Sequence, residues 1–313
     1  MAKRWAKKLI LAKLENTSGT AETLANTDAV VAKNIEHAPL AGGEAERELA
    51  RPYFGASESI PVNTHETLSF DVELAGSGTA GTAPAWGALL QGCGFAETVT
   101  ANTAAAYSPV SSGEKSLTIS LNIDGVLHQM TQCRGNVTLD ASVDNIPMLR
   151  FAFIGRRVAE TDTAATASPN FSKYQTPLVV AAVNTPSFEL HGVTTLKLSS
   201  LTYDAGIQVA HRSVVNGPEV LIGDRQGSGT ITIDREALSV FNPVDRAVKA
   251  STGALQLVHG KTGGQIIQVD MPKVQFTTVE HADNEGAWQG QIGYRPLPNA
   301  AASGNDEIKI TVK

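Results

Sequence analysis

Strict alternation of apolar and polar residues, repeated in run after run, constrains this chain more than any other feature. Between Thr67 and Leu74, the residues Leu68, Phe70, Val72 and Leu74 fall on one side of an extended backbone, and Ser69, Asp71 and Glu73 on the other. A period of two gives a strand one dry and one wet face, as in antiparallel sheets, whereas a central strand of a parallel sheet reads as nearly continuous apolar sequence. The same period runs through "SLTISLNI" (116–123), "NVTLDASV" (136–143) and "GTITIDR" (229–235), so each is expected to keep a polar face in water. Aromatic residues are only 5% while small residues abound, which suits many short strands joined by tight turns.

This alternation decides the reading of the one cofactor-like motif. Gly76, Gly78 and Gly81 spell the G-x-G-x-x-G of a dinucleotide-binding turn. Such a turn needs a buried parallel strand before it and a long helix after it, with helix N–H groups on the pyrophosphate. The preceding run alternates, so the first requirement fails. After the glycines, Thr82 reads as an N-cap and Pro84 as a first-turn residue, and Trp86, Leu89, Leu90 and Cys93 make one apolar stripe. That helix ends by Gly92 or Gly94, and no second strand with a ribose-binding acid follows it.

Other motifs fail on similar grounds. Gly260-Lys261-Thr262 lacks the upstream P-loop glycine, since Leu255 stands there, and its flanks are strand-like, so Gly263-Gly264 reads as a hairpin turn. In "SSGEKS" (111–116), Glu114 occupies the place of a P-loop lysine. The seven histidines show no metal-ligand spacing, and no G-x-S-x-G is present. No catalytic, cofactor-binding or metal-binding residue is expected, and the chain is read as no enzyme.

A net charge of −6 disfavours binding to phosphate backbones. Cys93 and Cys133 are too few for a disulfide scaffold and read as buried free thiols. The apolar run Leu9 to Leu11 is too short for a signal-peptide core or a membrane span, so folding in the cytoplasm without a membrane segment is expected.

The order of parts occurs twice. In the first half "TLSFDVEL" leads to the helix, then to "SLTISLNI", "VLHQMTQC", "NVTLDASV" and "MLRFAFIG". In the second, "GTITIDR" leads to the helix-like "FNPVDRAVKAS", with an apolar stripe at Phe241, Val244 and Val248, then to "ALQLVHG", "QIIQVDM", "KVQFTTVE" and "AWQGQIGY". Each copy is preceded by a strand, a polar connection containing arginine (42–59 and 203–220) and another strand. The expected fold is mainly β: two similar antiparallel β-sandwich or barrel-forming domains, each with one short flanking helix. The domains are placed at 1–160 and 178–313, with a linker at 161–177 that is polar, small-residue and Pro-containing. Open sheets leave edges that invite pairing with another chain.

Residues spread over nearly the full length carry a family resemblance. "LARPYFGASESIPVNTHETLSFDVELAGSGTAGTAPAWGALLQGCGFAETV", "YSPVSS", "NIDGVLH", "NTPSFELHG", "STGALQLVHGKTGGQIIQ" and the ending "SGNDEIKITVK" together resemble the major tail tube proteins of long-tailed, non-contractile bacteriophages, in their larger, duplicated type. The resemblance implies a virion protein, made and assembled in the host bacterial cytoplasm. Its subunits form rings that stack into a hollow tube, through which the genome passes at ejection without specific binding. Its partners are then other copies of itself, a tape measure protein, a tail terminator and a baseplate or initiator protein. Duplication adds the expectation of trimeric rings with pseudo-sixfold symmetry.

In that setting, the 42–59 connection becomes a candidate inter-ring loop with Arg47, Arg51, Tyr53 and Phe54 as contact residues. Asp71 and Glu73, on the wet face of their strand, become candidate lumen acids. Two alternatives compete: a β-sandwich binding module, which would need a cluster of exposed aromatics, and another virion part such as a head–tail connector. A hydrolase would need a pocket gathering Asp, His and Ser.

Overall fold

A computed structural model describes residues 2–300 and 302–313. The first half comprises β1 (Lys8–Leu14), β2 (Ala29–Val30), β3 (Lys33–Glu46), β4 (Ser59–Glu73), helix α1 (Gly87–Gly92), β5 (Phe95–Thr100), β6 (Ala104–Pro109), β7 (Leu117–Ile123), β8 (Val126–Ser142), β9 (Met148–Arg157) and β10 (Thr161–Asp162). The second comprises β11 (Ser187–Leu190), β12 (Leu198–Asp204), β13 (Ile207–Arg212), β14 (Glu219–Arg225), β15 (Ser228–Asp234), helix α2 (Pro243–Val248), β16 (Thr252–His259), β17 (Ile267–Asn284), β18 (Ala287–Pro296) and β19 (Lys309–Val312). Every pairing is antiparallel, as the period-two runs require.

The strand order repeats. In the first half it runs β1-β7-β8-β9-β4-β3. In the second it runs β11-β16-β17-β18-β15-β12. The last strand of each half closes the unit in the same way: β10 adds to the start of β8, and β19 to the start of β17. The hairpin of β3 and β4 answers to one in which β12 continues into β13 and β14 leads back into β15. The β5–β6 hairpin, between α1 and β7, has no counterpart in the second half.

Two long strands turn each half into a sandwich. β8 pairs with β7 along its first part and with β9 along its second, with register shifts between Leu117 and Ile119 and between Thr131 and Arg134. Gln132 takes a left-handed φ of 53° there. Bulges bend a strand and sharpen its twist, so one strand can leave one layer and enter the other. β17 does the same, with shifts between Gly253 and Leu255 and between Phe276 and Thr278.

The halves share hydrogen bonds. β12 pairs with the end of β8 from Thr138 to Ser142, and β19 pairs with β6. One layer therefore runs continuously as β3-β4-β9-β8-β12-β15-β18-β17. Between the layers lies an apolar core. Phe70, Phe151 and Phe153 cluster in the first half with centroids 5.8 to 6.0 Å apart, and Ile231, Ile292, Tyr294 and Phe276 fill the second. Burying each such side chain contributes about 1.5–3 kcal/mol.

Three local expectations need correction. β7 has no wet face: Thr118, Ser120 and Asn122 are buried as fully as their apolar neighbours. The segment after β1 and the segment after β10 cover that side, where the Glu15 carboxylate accepts from Ser116, Thr118 and the Gln132 amide, and Asn122 donates to the Thr163 carbonyl. Thr82 is no N-cap. Its amide closes a turn onto Thr79, and α1 begins only at Gly87, although its stripe of Trp86, Leu89, Leu90 and Cys93 is buried as read.

The stripe on α2 is the third. Phe241 is buried, but Val244 and Val248 are exposed. Asn242 caps the helix by accepting from the Asp245 amide, which turns Pro243 and Ala247 inward and rotates Val244 and Val248 away.

Candidate assembly surface

The β3–β4 hairpin grips the fold only at its base. There Leu68, Phe70 and Val72 enter the core, while every residue from Gly42 to Thr64 is exposed. Gly42, at φ 140°, lies so close to the Val62 and Asn63 carbonyls that a Cβ would come within 2.8 Å of both, so the stem admits no side chain there. At the tip Arg47 pairs with Glu58 at 3.1 Å. Tyr53 is two-thirds exposed and Phe54 wholly so, with Arg51 beside them in water. Leu40, Ile60 and Val62 add further exposed apolar surface along the stem.

The second hairpin behaves differently. β13–β14 packs against β8 and β9 of the first half, burying Val220 completely. The Val220 carbonyl accepts from the Arg134 guanidinium and its amide donates to Gln132 at 3.2 Å. His211 stacks on His65 with centroids 5.2 Å apart and meets the Asn63 side chain at 2.7 Å, tying the two hairpins together.

The continuous layer turns one face to the core and the other outward. Lys33, Asp71, Arg150, Thr138, Asp204 and Ser228 stand in one cross-strand row on the outward face. Asp71 and Glu73 lie on this face as read, and both are paired. Arg150 reaches Asp71 at 4.0 Å and Glu36 at 3.3 Å, Lys33 reaches Glu73 at 3.5 Å, and Asn34 donates to Asp71 at 2.7 Å. Further along, Asp140, Asp204 and Glu280 make no ion pair among the described residues. Asp140 lies on the wet face expected of its strand, and Asp204 and Glu280 join it in one layer only once β12 has paired with β8.

The glycine motifs meet one another. Gly78 donates its amide to the Gly264 carbonyl at 2.9 Å, and a Cβ on Gly76 would lie 2.1 Å from the same oxygen. Gly264 itself has a left-handed φ of 83°. The loop after β4 thus lies backbone to backbone on the β16–β17 turn, and its glycines serve that close approach.

The phage tail tube protein family matches residues 5–313. The chain belongs to that family. None of the curated proteins compared with it matches. Family membership makes it a structural protein of the virion, a component of the phage tail, and its mainly β, antiparallel architecture agrees. No helix among the described residues is long and apolar enough to cross a membrane.

One buried polar cluster calls for an account. His37 on β3, Glu66 on β4 and His128 on β8 bring ligand-capable atoms within 4.8 Å of one another. Glu66 has no solvent exposure, and His37 Nε2 meets its Oε2 at 3.2 Å. Burial, and then the neighbouring His37, push His128 below the usual histidine range. Arg157 stands 3.9 Å from Glu66 and 3.4 Å from Glu160. That guanidinium supplies the positive charge a metal would otherwise bring, and it repels a divalent ion. The cluster joins three strands, and within it Glu66 Oε1 and His128 Nδ1 have no hydrogen-bond partner among the described residues. Cys93 and Cys133 are free and wholly buried, and burial pushes both thiols up.

Proposed function

We propose that this tail tube protein is a ring subunit, and that three chains make a ring of six near-equivalent repeats. The repeated strand order carries the reading: each chain already contains two copies of one sandwich joined through a shared layer. Repeats at 1–160 and 178–313, with the 161–177 linker between them, are the units that the pseudo-sixfold ring counts. Rings then stack head to tail, a heterologous arrangement that does not close on itself and so extends into a tube. The tip of the β3–β4 hairpin, with Arg47, Arg51, Tyr53 and Phe54, docks on the adjoining ring. The outward face carrying Asp71 and Glu73 lines the lumen through which DNA passes at ejection, in a long-tailed, non-contractile phage. Tape measure, terminator and initiator proteins are the partners that set length and ends.

The test is electron microscopy of the purified protein across a concentration series, with mass photometry on the same samples. Rings or hollow tubes are expected, with a ring mass of three 32.9 kDa chains. A ring mass of six chains overturns the trimer, and a protein that stays monomeric even when an initiator is supplied overturns the tube.

A further inference from the structure

We infer that Asn216, in the loop joining β13 to β14, is a site of spontaneous deamidation, where attack by the Gly217 amide nitrogen turns a neutral carboxamide into a carboxylate. The site belongs to the single subunit and does not depend on how rings form.

The sequence holds one Asn-Gly pair, Asn216-Gly217, and one Asp-Gly pair, Asp124-Gly125. A glycine after the side chain leaves the next backbone nitrogen uncrowded, as a ring-closing attack on the side-chain carbonyl requires. The fold treats the two pairs in opposite ways. Gly125 donates its amide to Asn122 Oδ1 at 3.0 Å, so that nucleophile is held. Asp124 accepts from the Arg4 amide at 2.8 Å and pairs with Lys7 at 3.2 Å, and these contacts, Arg4 first, hold its carboxyl below the usual carboxylate range. An ionised carboxylate resists nucleophiles, so this turn is locked.

Asn216 lacks that protection. Every residue from Arg212 to Pro218 is exposed, Val215 almost entirely. The Gly217 amide reaches the Val214 carbonyl only at 3.3 Å, longer than an ordinary N–H···O bond. Asn216 holds a left-handed φ of 70°, a conformation that asparagine tolerates better than most side chains, so the turn favours the very residue that can react. The corresponding loop of the first repeat, 47–58, contains no asparagine, which confines the reaction to one repeat.

In the reaction the Gly217 nitrogen gives up its proton and bonds to Cγ of Asn216, and the side-chain nitrogen leaves as ammonia. Water then opens the cyclic succinimide at either carbonyl, giving aspartate or, with the backbone routed through the side-chain carbon, isoaspartate. Both products place a new carboxylate in a loop whose base is closed by Arg212 and Glu219 at 3.4 Å. A virion protein is not renewed after assembly, so this charge accumulates with age.

Incubation of the purified protein at mildly alkaline pH, followed by trypsin and mass spectrometry, tests the site. Cleavage after Arg212 and Arg225 releases Ser213–Arg225, in which Asn216 is the only side-chain amide. With time this peptide should gain the mass that separates an acid from an amide and split into aspartate and isoaspartate forms on chromatography. Gly217→Ala should lose both signals. The fold admits that variant, since a Cβ at Gly217 would meet nothing closer than Val214 Cγ2 at 4.0 Å. Asn216→Asp should give the aspartate form alone and marks its position. A peptide that keeps its amide in the folded protein overturns the site, and conversion of the urea-unfolded chain then assigns the protection to the 214–217 turn. Undiminished conversion in Gly217→Ala, or isomerisation at Asp124 running ahead of Asn216, overturns it equally.

Discussion

His191 shows how a single side chain ties the second repeat to pH. It holds a left-handed φ of 51°, stacks on Phe276 with centroids 4.3 Å apart and accepts a hydrogen bond from Arg246 at Nδ1. Burial first, and the Arg246 charge second, lower its pKa to about 4. An unfolded histidine titrates near ~6.5, so between these values the unfolded chain binds a proton that the native chain refuses. Stability is therefore full above ~pH 6.5, falls as pH drops towards about 4, and carries a constant penalty below that. His259, also lowered by burial, acts in the same direction. Replacing His191 with Asn keeps a residue that tolerates the left-handed backbone and removes the titration. Thermal melts of the subunit from pH 7.5 to 4.5 should show a lower starting midpoint for His191→Asn and a shallower decline; equal slopes would remove His191 from the account. Little of this was legible in sequence. His37, Glu66 and His128 lie on three strands, and only the pairing of β3 with β4 and the packing of the layers brings them together.

Elements were legible where the alternation is strict, as in β4 and β15. β13, within the 203–220 segment that reads as a polar connection, and the β5–β6 hairpin were not. β7 misled because an alternating pattern records only which side chains are polar, and here Glu15 and the segment after β10 replace water on the polar side. The β3–β4 tip is a charged loop with two aromatics, Tyr53 and Phe54, that no described residue of its own chain covers. Because Phe54 has no contact to lose within the subunit, Phe54→Asp should leave the melting midpoint within the ~0.5 kcal/mol typical of surface changes. In the docking role, it buries a charge at an aromatic anchor and should stop growth at single rings. Circular dichroism melts and electron microscopy of the same preparation separate the outcomes. A folded variant that still grows tubes removes Phe54 from the inter-ring contact.

At the scale of the whole molecule, the duplication was legible because both repeats carry the same order of runs, but the seam between them was not. The pairing of β8 with β12 depends on the long strand leaving one layer for the other, and no local pattern records that bend. Once the layer is continuous, its outward face acquires a charge pattern with a consequence for transport. The acids read from sequence, Asp71 and Glu73, are partly neutralised by Arg150 and Lys33, so if this face lines the lumen as proposed, the unpaired Asp140 and Glu280 set more of the repulsion that a phosphate backbone would meet there. Repulsion keeps DNA from lodging on the wall, whereas lysines there would release condensed counterions and hold it. Asp140→Lys with Glu280→Lys adds two cations per chain, six in each ring of the proposed three chains. Tubes of this variant should co-sediment with short fluorescent duplexes at about 50 mM salt and lose them steeply by about 200 mM, the range over which several phosphate contacts weaken binding by ~10³-fold or more. Native tubes should retain almost none at either salt. Equal retention by native and variant tubes would place Asp140 and Glu280 away from the DNA path.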